Sequence, residues 1–129
     1  MKRPYIYPNC TITRWVDADT CVLQVDVGFK ILVRVTCRLR SLTGGLNTRE
    51  KGEPGAAEAA ARVAELAPPG ATVRLHSYEL DRYGRTLGAL ITDDGVDIGA
   101  QLVADSYAAP WDGMGQRPEP PWPIPLAAA

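Results

Sequence analysis

Between Cys21 and Arg40 the chain alternates apolar and polar residues so regularly that extended structure is the reading it favours. Cys21, Leu23, Val25 and Val27 fall on one side against Gln24 and Asp26, and Ile31, Val33, Val35, Cys37 and Leu39 fall opposite Arg34, Thr36, Arg38 and Arg40. A period of two sends one face of a strand into a core and leaves the other in water. Gly28-Phe29-Lys30 between the runs has the length and composition of a hairpin turn. The stretch leading in from Cys10 is strand-like too, so the first third of the chain predicts three consecutive strands.

Beyond this meander the pattern changes. Thr43 to Gly52 is rich in turn formers and charge and predicts a mobile loop. Glu53-Pro54-Gly55 followed by the alanine-dominated run to Leu66 predicts a helix, with Val63 and Leu66 on one side, that Pro68-Pro69-Gly70 ends. Thr72 to Tyr78 and Thr86 to Ile91 predict two more strands, and Asp97 is placed to cap a short helix reaching about Ser106. This order predicts a β-rich α+β fold, a five-stranded Greek-key barrel of the OB type with two to three helices. The domain spans 12–112, with an N-terminal arm over 1–11 and a proline-rich, extended tail over 113–129.

Composition narrows the function classes. A hydrophobic fraction of 46% with 22% charged residues suits one soluble globular domain of 129 residues. No apolar run reaches the roughly 20 residues of a membrane-spanning helix, and Met1-Lys2-Arg3 is not followed by a signal-peptide core. The expectation is a cytoplasmic or otherwise intracellular protein with no membrane partner. Cys10, Cys21 and Cys37 lie in strand-like stretches without Cys-x-x-Cys spacing and read as buried thiols rather than a disulfide framework or zinc site. The net charge of −1 supplies no global basic field, so binding to a polyanion has to come from a local cluster.

Several side chains carry the chemistry for such a cluster. Asp17 and Asp19, two apart in an extended chain, point the same way and could share a hard cation, although a solvated turn would look the same. Arg38 and Arg85, if they converge, form a bidentate clamp for phosphate, although an arginine taken alone is more often a surface residue. His76, the single histidine, sits in an apolar strand and reads as structural.

Taken together and in order, these fragments resemble the staphylococcal (micrococcal) nuclease, or thermonuclease, family. Val16-Asp17-Ala18-Asp19-Thr20 is similar to its Asp-Gly-Asp-Thr motif, and Arg38-Leu39 to the arginine ahead of its Ile-Asp-Ala-Pro-Glu loop. Leu80-Asp81-Arg82-Tyr83-Gly84-Arg85-Thr86-Leu87-Gly88 resembles its Asp-Lys-Tyr-Gly-Arg motif, the most specific of the set, and the resemblance runs from about Ile12 to Asp112. It implies a Ca²⁺-dependent nuclease acting on DNA or RNA. Asp19 would be the direct metal ligand, Asp17 its outer partner, Arg38 and Arg85 the phosphate clamp, and Tyr83 and Trp111 the aromatic contacts to the nucleotide.

The loop departs from the family pattern. Leu42-Thr43-Gly44-Gly45-Leu46 stands where the family has Ile-Asp-Ala-Pro-Glu, so Thr43 takes the place of the second metal ligand and Leu46 that of the general base. Glu50 or Glu53, farther along, is the available substitute base. The expectation is therefore a phosphodiester-binding domain with slow or impaired hydrolysis. The alternatives are an inactive pseudo-nuclease that binds nucleic acid or protein, and a structural subunit docked through Pro118–Pro125 with Trp122 as anchor.

Overall fold

The alternating runs form strands where their period puts them. The computed structural model describes residues 3–123, and nine elements follow in order: β1 (Tyr5–Asp17), β2 (Thr20–Asp26), β3 (Leu32–Arg40), β4 (Leu46–Thr48), α1 (Ala56–Leu66), β5 (Thr72–Leu80), β6 (Thr86–Thr92), α2 (Ile98–Ala104) and β7 (Ala108–Pro110). The five long strands close into one barrel in the order β1-β2-β3-β6-β5, with β3 and β6 parallel and the other pairs antiparallel. The fold is thus β-rich α+β, a closed five-stranded mixed barrel with two helices among the described residues, and it is consistent with an OB-type arrangement.

Closure depends on β1, which is longer than its sequence pattern suggests. Its first half pairs with β5 and its second half with β2. Register shifts between Tyr7 and Cys10, and between Ile12 and Arg14, bend it from one neighbour to the other. Pro8 lies in the first of these irregularities, where its missing N–H costs no ladder bond. Residues from Tyr5 onward, expected as an arm, therefore belong to the barrel wall.

The core is filled by part of the faces that the alternation assigned, since Val27, Ile31 and Val33, near the β2–β3 turn, are exposed instead. Leu23, Val25, Cys37 and Leu39 are buried, joined by Ile12, Val73, Leu75 and Leu90, with Val63 of α1 and Ile98 and Leu102 of α2 packed on the same cluster. The end of α1 is closed by Trp15, whose indole N–H donates to the Ala67 carbonyl at 2.8 Å. Asp97 does two jobs at the start of α2. One carboxylate oxygen accepts from the Ala100 N–H at 3.2 Å, and the other accepts from the Leu42 N–H at 2.8 Å. Gly99 then presses the helix onto the sheet: a Cβ there would lie 2.7 Å from the Arg40 carbonyl oxygen, so only glycine fits.

All three cysteines are free and buried. Burial raises the Cys10 thiol to about 11, and contact with Cys37 together with burial pushes Cys21 upward as well. Since the thiolate is the reacting form, the native protein is expected to stay inert to a thiol reagent at mildly alkaline pH and to release three equivalents on denaturation. Stoichiometric labelling of the folded protein would contradict this burial.

One local conformation is costly. In the β2–β3 turn the Ile31 N–H donates to the Gly28 carbonyl, and Phe29 and Lys30 both hold positive φ, 56° and 61°. Turns of this kind favour Asn and Gly, and an ordinary side chain in the left-handed region costs roughly 1–2 kcal/mol per residue.

Candidate nucleic-acid interface

The barrel brings the separated sequence fragments to one place. Asp17 and Asp19 sit at the β1–β2 turn, Arg38 lies late in β3, and Arg85 follows the β5–β6 turn directly before β6. Thr20 is the register partner of Arg38, and β3 runs beside β6 from Cys37 and Thr86 onward, so the turn and both arginines meet at the same end of the sheet. Asp17, Asp19, Arg38, Glu50 and Arg85 all line a single cavity of about 290 Å³. Arg49, Lys51 and Arg117 line it too, giving five cationic against three anionic side chains.

Both clamp arginines are held by carboxylates. Arg38 Nη2 lies 3.2 Å from Asp19 Oδ2, and Arg85 Nε donates to Asp81 Oδ2 at 2.7 Å. Each anchor leaves the other guanidinium nitrogens of that residue for a ligand, since neither arginine makes a second ion pair among the described residues. Asp81 also organises its own turn, accepting from the Tyr83 N–H at 2.8 Å and the Arg85 N–H at 3.0 Å. Partial burial raises its carboxyl, but the Arg85 guanidinium and these two N–H groups outweigh that and hold it below the usual aspartate value of 3.8. A carboxyl depressed in the folded state stabilises the fold above its unfolded pKa and loses that contribution as pH falls through its folded pKa. Asp81→Asn is therefore expected to melt below the parent at neutral pH, with the difference closing in acid. Parallel melting curves at every pH would sink this account of the turn.

A second cavity of about 490 Å³ adjoins the first and shares Arg38, Arg85 and Arg117 with it. Tyr83 and Trp111 stand on its wall. Tyr83 is 72% exposed, with the guanidinium carbons of Arg82 and Arg85 at 5.3 and 5.5 Å from its ring centroid. Arg117 lies 5.6 Å from the Trp111 ring. Each of these aromatic rings thus sits beside a cation.

Other expected residues are placed differently. Thr43 lies in a tight turn closed by Ser41 and Gly44, its hydroxyl 3.0 Å from that of Ser41, and it is not on the wall of the cavity that holds Asp19. Leu46 is 4% exposed and belongs to the core cluster, because β4 pairs with β7. Gly45 sets that pairing: the Trp111 N–H donates to its carbonyl at 3.0 Å, and a Cβ on Gly45 would lie 2.3 Å from the Trp111 carbonyl oxygen. The segment expected to be a mobile loop is thereby fixed at its start. Glu50 reaches the cavity wall, and its carboxylate is paired with Arg117. His76, in β5, is half-buried, and burial together with Arg74 lowers its pKa.

The donor set does not suit a calcium ion. Ca²⁺ takes six to eight oxygen ligands, whereas of the three carboxylates on the cavity Asp19 is paired with Arg38 and Glu50 with Arg117, leaving Asp17, and Thr43 is turned elsewhere. Among the described residues no group of three or more acidic, histidine or cysteine side chains gathers as a metal cluster. A guanidinium occupies the place at Asp19 that the sequence resemblance gave to a cation.

Arg117 is the functional candidate that the sequence left unmarked, hidden in a stretch read as tail. The segment after it is extended, as its prolines require, but it is docked. Asn47 Nδ2 donates to the Pro118 carbonyl at 3.0 Å, Arg49 Nη2 to the Pro120 carbonyl at 2.9 Å, and the Trp122 N–H to the Ser106 carbonyl at 2.9 Å. The Trp122 ring packs edge-on against Tyr107 at 5.5 Å. Residues 124 and 125 of the expected docking segment lie outside the described residues. Compared with models of known protein families and with curated proteins, the chain matches none.

Proposed function

We propose that this chain is a thermonuclease-like domain that binds single-stranded nucleic acid, gripping phosphodiesters with Arg38, Arg85 and Arg117 and stacking bases on Tyr83 and Trp111. The observation that carries this reading is that the same three arginines line both adjoining cavities, one rich in charge and one bearing the aromatic rings. A basic groove beside accessible aromatic rings, here an exposed Tyr83 and a half-buried Trp111, is the arrangement that holds an unpaired strand, because every base has a π-face to stack and every linkage a charge to neutralise. The chain as a whole is slightly acidic, so the attraction is confined to this end of the barrel.

Binding is favoured over hydrolysis. In-line attack on phosphorus needs a carboxylate within hydrogen-bond reach of water, and the position expected to supply one is the buried Leu46. A slow nuclease is the second reading, favoured by one observation: Glu50 lines the same cavity as Asp19 and both clamp arginines. Glu50 would have to leave Arg117 to accept a proton, so binding of a phosphate by Arg117 would free it.

The test is fluorescence anisotropy with labelled single-stranded DNA and RNA beside a duplex of the same sequence, followed by gel analysis for cleavage. Saturable binding that prefers the single strands and weakens with salt is expected, with intact oligonucleotide recovered. Equal weak binding of every probe, insensitive to salt, would remove the proposal. Cleavage abolished by Glu50→Gln would promote the second reading.

A further inference from the structure

We propose that the exposed edge of β3 is a self-association surface on which a second copy of this chain adds antiparallel about a two-fold axis. The argument starts from the register. β2 and β3 pair so that Val25 faces Val33, Leu23 faces Val35 and Cys21 faces Cys37. The Val27 N–H donates to the Ile31 carbonyl and the Leu39 N–H to the Asp19 carbonyl. On the β3 side both bonds belong to odd-numbered residues, Ile31 just ahead of the strand and Leu39 within it. In an antiparallel ladder hydrogen-bonded pairs alternate along the strand, so the odd residues bond β2 and the even residues point their N–H and C=O to the other side. On that side β6 begins opposite Cys37. Leu32 and Arg34 therefore present backbone donors and acceptors with no backbone partner among the described residues.

The surface around this edge is apolar. Val27, Ile31, Leu32 and Val33 are exposed, and Phe29 at the tip is 95% exposed in a conformation that favours asparagine or glycine. A short, largely apolar edge without proline or bulge is a template for another strand. Another strand can take up the outward groups of Leu32 and Arg34 together, in place of water.

The edge is complementary to itself. Centring the axis on Val33 pairs Leu32 with the partner's Arg34 as a reciprocally hydrogen-bonded pair. Val33 then faces the partner's Val33, and Ile31 faces the partner's Val35. Each Arg34 lies opposite a leucine, so no like charges stand directly opposed. The alternative centred on Arg34 would oppose two guanidiniums and is disfavoured. A net charge of only −1 offers little global repulsion to such a contact. The contact is isologous and closes at two copies.

Sedimentation equilibrium of the full chain under reducing conditions, over a range of protein concentration, tests this. A monomer–dimer equilibrium is expected. Arg34→Pro leaves the donors to β2 intact while removing the guanidinium and, from the backbone, the outward N–H. Its loss removes two hydrogen bonds across the two-fold, weakening association about 30-fold. Val33→Lys opposes two ammonium groups at the axis and should shift the equilibrium in the same direction. Circular dichroism identifies any variant that fails to fold, and the other then decides. A parent that stays monomeric at every concentration overturns the proposal, as does a dimer that folded Arg34→Pro or Val33→Lys leaves unchanged, including one formed by another partner-free surface.

Discussion

Replacing Arg38 and Arg85 together by alanine is expected to weaken single-strand binding about 100-fold, at roughly 1.5 kcal/mol for each charge-assisted phosphate contact. The lower end of the range for such contacts applies because both side chains remain partly in water, 22% and 31% exposed. The salt dependence should change as well. Each phosphate neutralised on a single strand contributes about 0.7 to the slope of log affinity against log salt, so losing two flattens it by about 1.4. Arg74→Ala, an exposed cation of β5 outside both cavities, is the control and should leave affinity and slope near those of the parent. Parent-like binding by the double variant in an anisotropy titration would mean that the cleft is not the binding surface.

Ending the chain after Arg117 is expected to lower stability by about 3 kcal/mol relative to a chain ending at Pro123. Three hydrogen bonds from Pro118, Pro120 and Trp122, together with the Trp122–Tyr107 contact, disappear, each worth about 1 kcal/mol or less. For a domain of this size the melting temperature should fall by about 10 °C. Asn47 and Arg49 would lose the carbonyls that hold them, and both flank the loop that carries Glu50 and Lys51 into the cavity. Binding should weaken along with stability even at temperatures where the shortened domain remains folded. A calorimetric scan that does not distinguish the two chain lengths would make the segment a passive appendage.

The parts of this fold that were legible in the sequence are those whose period is strong. Alternation located β2 and β3, the alanine run located α1, and Asp97 announced α2 by its capping chemistry. β1 was half hidden because Pro8 interrupts its pattern at the bulge where the strand changes partners. β4 and β7, three residues each, are too short to show any period, and their pairing is dictated by the long-range contact between Gly45 and Trp111. The candidate site divides along the same line. Asp17, Asp19, Arg38 and Arg85 were visible because each sits at the end of a legible strand and the barrel converts order along the chain into proximity. Arg117 was invisible because its place depends on side chains of β4 and of the loop beyond it gripping the carbonyls of a proline-rich stretch. Thr43 was misplaced for the complementary reason: position in a motif cannot reveal that a neighbouring serine and the aspartate capping α2 tie down its turn.

The division of β1 between two neighbours also orders events in time. A ribosome delivers β1, β2 and β3 first, and they can pair at once through short connections. The Tyr5–Tyr7 half of β1 has no partner until β5, nearly seventy residues later, has emerged. Until then the nascent meander carries two unsatisfied edges and an uncovered apolar face, the state in which a chain of this kind is most exposed to misassembly.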